Sequence, residues 1–463
     1  MNKTTDLTKG SILNSLLSLA LPIMGTSFIQ MAYGMIDMIW IGRVSSLAVA
    51  AVGTAGFLVW FGQSFILLSK VGAEICVSQY LGAKKEDEAR SFANNAMQIT
   101  IIMALIYSLI MIIFKKQIIG FFRLNSLEVI QMSETYLVIV SIGMIFNFVN
   151  PVLTGIFNGA GNSKVPFLVN TVGLIFNIIF DPILIFGIGP IPKLGVAGAA
   201  IATVLAQVIV TCLFLLIMKK QDTPLFKINI FAKLHLDHVK KLIKLGFPVA
   251  VENGLFSFFA MLIGRIVASH GDAAVAVQQV GSQIEAISWM TAGGFCTALG
   301  TFVGQNYGAR KYERIVKGYF VSMCIVSVIG LFSTLLLTLG SKFVFSIFIS
   351  ESKTLGMGIT YLKIVGLSQF FMCIEITTAG AFNGIGRTTL PAIVSGVFNA
   401  LRIPSAIILS KPEVLGLNGV WWSISVSSMF KGIVLVSLFI ILVVKNKDFK
   451  NSLKASELLE EYN

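Results

Sequence analysis

The chain has 463 residues, 56% of them hydrophobic and only 12% charged, against roughly 25% charged in an average soluble domain. An ordinary soluble enzyme is excluded, and a polytopic helical membrane protein is predicted, because a bilayer core admits only segments that satisfy their own backbone polar groups. A formal net charge of +13 would suggest nucleic acid in a soluble chain, but here the basic residues gather in short loops between apolar runs, so no nucleic-acid partner is expected.

Charges and turn residues bound twelve predicted spans, at 13–40, 48–69, 95–114, 135–158, 166–188, 195–218, 245–268, 273–303, 319–340, 359–384, 391–410 and 417–444. The first apolar run, Ile12 to Ile41, is too long for a signal-peptide core and lacks a small-x-small cleavage site, so it is expected to stay in the mature protein. With a cytoplasmic N-terminus, the inner segments hold 22 Lys and Arg, from Lys3 to Lys454, and the outer loops eight, Lys193 and Lys353 among them. The expectation is a plasma-membrane protein with both termini cytoplasmic. The five cysteines lie in apolar stretches without a Cys-x-x-Cys pair and read as packing residues.

The sequence repeats itself. Ser78-Gln-Tyr-Leu-Gly-Ala-Lys-Lys85 is echoed by Gly304-Gln-Asn-Tyr-Gly-Ala-Arg-Lys311 at an offset of 226, which Pro22 and Pro248 share. Gly155-Ile-Phe-Asn-Gly-Ala-Gly161 returns as Gly380-Ala-Phe-Asn-Gly-Ile-Gly386 at 225, and Phe176-Asn177 as Phe398-Asn399 at 222. Each half carries six spans, an even number, so both enter the bilayer from the same side and the repeat is parallel. The predicted fold is all-α: twelve transmembrane helices in two six-helix lobes about a central cleft, suited to alternating access. Residues 1–218 form the first lobe, 219–244 a cytoplasmic linker, and 245–463 the second lobe with a cytoplasmic tail. Pro22 and Pro248 are expected either to kink their spans as hinges or to mark helix starts.

A charge at the bilayer centre costs at least roughly 2.5 kcal/mol, which makes each one a candidate functional residue. These are Asp37 in span 1, Asp181 in span 5, Glu252 and Arg265 in span 7, Glu285 in span 8, Lys363 and Glu375 in span 10, Arg402 in span 11 and Lys431 in span 12. Arg265, Lys363 and Lys431 are read as snorkelling from span ends. Asn177 and Asp181 are four apart and share a helix face; Asp37 adds a second carboxylate, and spans 1 to 6 hold no base beyond Lys70 at a span edge. Two carboxylates, an amide oxygen and the Thr203 hydroxyl can enclose sodium, or the carboxylates can share one proton, since like charges close together in low dielectric cannot both ionise cheaply. In the second half the pattern becomes Asn399-x-x-Arg402-Ile403-Pro404, base for acid. Glu252, Glu285 and Glu375, unpaired, would attract organic cations; paired with Arg402 or another base, they would be structural. Met31 and Met35 are either an adaptable apolar lining or ordinary packing and lipid-facing residues.

No His-Glu-x-x-His or Gly-x-Ser-x-Gly motif occurs, and Gly159-Ala-Gly161-Asn-Ser-Lys164 lacks the Gly-Lys-Ser/Thr ending of a phosphate loop. It reads as a tight loop after span 4. The chain is therefore not expected to be an enzyme and needs no cofactor beyond a sodium ion or proton.

Several separated stretches stand out in order along the chain: Leu21-Pro22, Tyr33-x-x-x-Asp37 running into Ile41-Gly42-Arg43, Ala48-Val-Ala-Ala-Val-Gly53, Gly155-x-Phe-Asn-Gly-x-Gly161, Asp181-Pro182, Leu194-Gly-Val-Ala-Gly-Ala-Ala-Ile-Ala-Thr203 and Val303-Gly-Gln-Asn-Tyr-Gly-Ala309. Together, over about 6–445, they resemble the multidrug and toxic compound extrusion (MATE) family of secondary transporters. The resemblance implies a V-shaped pair of six-helix bundles and export of cationic amphiphilic drugs in exchange for sodium or protons. It further implies that Asp37, Asn177, Asp181 and Thr203, with the carbonyl of Ala199, form the first lobe's cation site. The loop is lengthened by four residues around Gly189-Pro-Ile-Pro192 between Asp181 and Thr203. Another branch places acids in spans 7 and 10 where this sequence has Phe256 and Met372, so that second site is not implied. The expected partners are small organic cations and the lipid bilayer, and the expected state is a monomer. Two other functions compete: a flippase for lipid-linked sugars, which should line its cleft with several Arg or Lys, and a non-transporting receptor or scaffold, which leaves Asp37 and Asp181 without purpose.

Overall fold

The structure is a computed structural model that describes residues 5–187, 189, 192–349, 351–447 and 449–451. Lys3, Lys454 and the Pro190-Ile191 part of the lengthened loop lie outside the described residues, as does the side chain of Lys353. The first half runs α1 (Ile12–Gly42), α2 (Ser46–Gly82), α3 (Glu86–Ile113), α4 (Lys115–Phe121), α5 (Leu127–Ile142), α6 (Met144–Gly159), α7 (Lys164–Phe186) and α8 (Val196–Lys219). The second runs α9 (Leu236–Ala268), α10 (Asp272–Gly308), α11 (Tyr312–Leu339), α12 (Ser341–Ser346), α13 (Ser352–Gly366), α14 (Gln369–Gly384), α15 (Thr389–Leu409) and α16 (Leu417–Phe439). No strand occurs among the described residues.

Among the described residues, ten helices are long and apolar enough to cross a bilayer. The bent pairs α5/α6 (50°) and α13/α14 (47°), counted as one span each, bring the number to the predicted twelve. Both breaks obey the repeat: Gly143 in the first and Ser368 in the second are 225 residues apart. At Gly143 an added Cβ would stand 2.7 Å from Val204 Cγ1, so the missing side chain lets α8 pack into the bend.

The echoed motifs do two physical jobs. Ser78–Lys85 and Gly304–Lys311 end α2 and α10: Lys84 and Arg310 both take φ +58°, while Lys85 N bonds Tyr80 O (2.9 Å) and Lys311 N bonds Asn306 O (2.8 Å). This is a left-handed helix stop that satisfies the last carbonyls. Gly161 (φ +78°) and Gly386 (φ +80°) stop α6 and α14 likewise, as the tight-loop reading expected. The other two glycines of that motif pack helices instead. A Cβ on Gly159 would lie 2.7 Å from Glu74 O, and one on Gly380 would lie 2.7 Å from the Cys296 carbonyl carbon. Gly155-x-x-x-Gly159 and Gly380-x-x-x-Gly384 are thus close-approach faces toward α2 and α10, the small-residue packing that membrane helices favour where lipid is as apolar as any side chain.

The chain divides into two compact units, one of Leu21–Ala250 with Met1–Thr5, the other of Asp6–Ala20 with Val251–Asn463. Helices α1 and α9 run unbroken through Pro22 and Pro248, so the helix-start reading of those prolines does not hold, and each helix changes unit within two residues of its proline. The partition at 218 and 244 therefore differs from the compact units at both first spans. Contacts explain why. In the first unit, the peptide before α9 is held by α3: Arg90 Nε donates to Lys227 O (2.7 Å), Gln98 Nε2 to Ala232 O (2.7 Å), and His238 stacks on Phe92 at 4.0 Å. In the second unit, the peptide before α1 is held by the α10–α11 turn. Arg314 donates to the carbonyls of Leu7 (3.0 Å), Gly10 (2.9 Å) and Lys9 (2.7 Å), and Gln305 Oε1 accepts from Leu7 N (3.0 Å).

Of the five cysteines, Cys76 and Cys373 are buried as expected, whereas Cys212 and Cys324 are exposed on the helix surface and do not serve core packing.

Candidate functional site

In the first unit, α1, α7 and α8 bring Asp37, Asn177, Asp181 and Thr203 together, with Ala199 alongside. Asn177 and Asp181 have no exposed surface. Asn177 Nδ2 donates to Asp181 Oδ1 at 3.1 Å, one helical turn away. Thr203 Oγ1 stands 3.2 Å from Asp37 Oδ2 and 3.0 Å from Ala199 O, two acceptors for its single proton. The Asp37 carboxylate lies against Asp181 and Asn177. Yet Asp37 Oδ1, Asn177 Oδ1 and Asp181 Oδ2 are all buried with no donor, and among the described residues no Lys, Arg or His pairs with either acid. Buried acceptors without donors are rare because each forfeits its solvation. Three on adjoining side chains supply hard oxygens that a small monovalent cation or a proton can complete. A dicarboxylate–amide–hydroxyl set offers only hard oxygens and no thiolate or imidazole, which suits a monovalent ion better than a transition metal.

The site depends on local sequence in three ways. Pro182 sits inside α7 just after Asp181, and a proline there leaves the preceding turn short of one backbone donor. Gly198 admits the α7 backbone onto α8, where a Cβ would lie within 2.9 Å of Ile185 N. Gly173 is covered by the Tyr33 hydroxyl. Tyr33 was not singled out as a site residue from sequence, although it lies one turn before Asp37. Its buried hydroxyl has no partner and faces Asp37 and Asp181, as does Tyr136 of α5.

The second unit arranges its charges differently. Lys431 is not a snorkelling residue: it is 7% exposed, and its Nζ pairs with Glu375 Oε1 at 3.3 Å. It lies within α16 and not at its end, so its charge is neutralised inside by Glu375. Arg265, in the last turn of α9, is exposed at a span end, whereas Lys363, also exposed, lies next to the bend inside the α13/α14 span and not at its end. Glu285 accepts from the Tyr361 hydroxyl and from Gln369 Nε2 (3.3 Å). Arg402 directs Nε to Ser427 Oγ (2.9 Å) and Nη2 to Ser428 Oγ (3.4 Å), and faces Glu375 and Glu285. Glu252 stands beside Ser395, Glu375 and Lys431. Met31 is half-buried and Met35 is 54% exposed on α1.

A duplicated, all-helical chain with twelve spans and isolated acids in its membrane-embedded part defines a multi-pass membrane transport protein. The family pattern for MatE matches it twice, over residues 22–183 and 248–408, beginning each time at the repeated proline. The chain belongs to the MATE family, whose members are transporters and not enzymes. It is 28% identical to the probable multidrug resistance protein NorM of Thermotoga maritima, over 93% of this chain and 92% of that protein. It is 23% identical to the multidrug export protein MepA of Staphylococcus aureus, over 98% of both. A crystal structure of a MATE protein in the bent conformation superposes with a TM-score of 0.90 at 22% identity, over 98% of this chain and 99% of that one, a likeness of fold.

Proposed function

We propose that this transporter exports cationic amphiphilic drugs or metabolites by alternating access, in exchange for a sodium ion or proton taken by Asp37, Asn177, Asp181 and Thr203. The observation that carries the reading is the trio of buried acceptor oxygens with neither donor nor base. The names of the two relatives, a multidrug resistance protein and a multidrug export protein, support the substrate class. A monovalent organic cation exchanged for one monovalent ion moves no net charge, so the ion's own concentration gradient sets the accumulation, ten-fold for each roughly 1.4 kcal/mol; a second returning ion would add the membrane potential, about 2.3 kcal/mol per 100 mV. A lipid-linked sugar flippase asks for free basic side chains; Lys431 is held by Glu375 and Arg402 by two serines, which favours the exporter. In proteoliposomes, ethidium movement driven by a sodium gradient at fixed pH assigns sodium, and movement that follows only a pH gradient assigns the proton. Movement indifferent to both would end the coupled reading.

The same proposal places both termini on the cytoplasmic side of the plasma membrane, on the 22 to 8 distribution of Lys and Arg. In a background freed of the five native cysteines, Lys84→Cys and Lys220→Cys should be shielded from an impermeant maleimide in intact cells, and Lys193→Cys should be labelled. Labelling at Lys220→Cys from outside would reverse the orientation.

A further inference from the structure

The two halves provide an internal comparison. At the 225-residue offset Glu375 corresponds to Asn150. At 221, the offset of Gly195 and Gly416, Ser428 corresponds to Gln207 and Lys431 to Val210. In the first unit α6 and α8 are tied by neutral groups: Asn150 Nδ2 donates to Gln207 Oε1 (2.8 Å), and Thr211 Oγ1 donates to Asn150 Oδ1 (2.6 Å). In the second unit the equivalent helices, α14 and α16, are tied by the Lys431–Glu375 ion pair at 3.3 Å, with both side chains nearly fully buried. Holding the helices together does not require charge, because a buried ion pair is no better a packing element than neutral groups.

Nor is the charge balanced. Ser395 Oγ donates to Glu375 Oε1 at 3.1 Å and also stands within reach of Glu252, which faces both Glu375 and Lys431. Glu252 and Glu375 both face the single Lys431 ammonium, and Arg402, bonded to Ser427 and Ser428, faces Glu375 and Glu285, so three acids meet two bases. The repeat position of Glu252 is Thr26, uncharged, whose hydroxyl only bonds back to Pro22 O at 3.0 Å. On α15, one turn from Ser395, buried Asn399 presents an Oδ1 with no donor. Glu252 itself is half-buried and flanked on α9 by exposed Val251 (40%), Leu255 (37%) and Phe256 (50%). A surplus carboxylate beside an apolar surface fits the cationic head and apolar body of an amphiphile.

From this arrangement we infer that Lys431 is a tethered cation that competes with an organic cation for the Glu252 and Glu375 carboxylates, and so sets how tightly the second unit holds that ligand. The inference rests on the substrate class proposed above and deepens it: the ligand carries an ammonium-type charge, and the transporter keeps an internal substitute for it. When the organic cation occupies Glu252, Lys431 stays on Glu375; when it leaves, the ammonium is shared between both carboxylates.

The test is ethidium affinity of the purified, full-length protein, read by fluorescence anisotropy alongside melting temperature. Lys431→Met should tighten binding roughly ten-fold, and Glu375→Gln, which turns the ammonium onto Glu252, should weaken it by a similar factor. The Glu375→Gln, Lys431→Met pair should return close to the wild-type value. A purely structural bridge makes the opposite claim: both single substitutions break the same contact, so affinity moves in one direction in both, and that result would overturn the inference. If Lys431→Met does not fold, the decision falls to Glu375→Gln against the double variant, where equal affinities overturn it and tighter binding by the double supports it. Absence of saturable binding by the wild type would instead overturn the organic-cation reading on which the inference stands.

Discussion

Replacing Asp37 and Asp181 together by Asn should reduce ethidium efflux from energised cells to that of cells lacking the protein, with the variant still present in the membrane at the wild-type amount. Transport fails because the substituted amides bring donors to the oxygens that otherwise lie unsatisfied on adjoining side chains, leaving nothing for a monovalent cation or proton to complete. The fold survives because neutralising two buried acids that no base accompanies lowers the electrostatic cost of the interior. The loss is the whole coupled gradient, and it is read from ethidium retention together with membrane protein quantified by immunoblot. Full efflux in the double variant would move the coupling site to Glu252, Glu285 and Glu375.

A second large effect is expected from adding three carbons at one glycine. Gly380→Val should abolish recovery of folded protein, at a cost above about 4 kcal/mol, because its side chain would be driven into the Cys296 carbonyl on α10. Neither helix can retreat: α10 meets α14 again one turn on, where a Cβ on Gly384 would lie 2.8 Å from Val303 Cβ. Monodisperse yield on size-exclusion chromatography and melting temperature measure the loss, and the neighbouring Ala381→Val serves for scale. A normal profile for Gly380→Val would mean that the α10–α14 contact is loose.

Much of this architecture is legible in sequence because a bilayer imposes a simple code. Apolar length marks spans, and the echoed glycines mark the repeat; Asp37, Asn177, Asp181 and Thr203, chosen as uncompensated polar groups, converge in one unit. What escapes has physical reasons. Span 2 was ended at Ser69 by the charge of Lys70, whereas α2 continues to Gly82, since a helix does not stop where the bilayer does. The bends at Gly143 and Ser368 carry no periodic signal, because an apolar pattern reads through a change of direction. Gly159 reads as part of the tight loop after span 4 yet packs against α2, for glycine serves turns and close helix contacts alike, and only the neighbouring backbone tells them apart. Lys431 was read as snorkelling because its partner Glu375 lies 56 residues earlier in the chain, and such pairings are fixed by topology alone. Tyr33 passed unnoticed since a tyrosine is ordinary in an apolar span until a carboxylate stands beside it.

The stapling of the first peptide has a consequence for synthesis on the ribosome. Leu7 finds its partners at Gln305, 298 residues later, and at Arg314, 307 residues later. At about 5 to 20 residues per second, translation takes roughly 15 to 60 s to reach them. Over that interval the leading end of α1 is inserted but has no docking surface, and the second unit cannot be completed by the C-terminal half of the nascent chain alone. Docking is therefore a delayed step in which an early segment meets one made 298 residues later. A bulky fusion placed directly before Leu7 acts on this event, which cannot begin until α10 has been made.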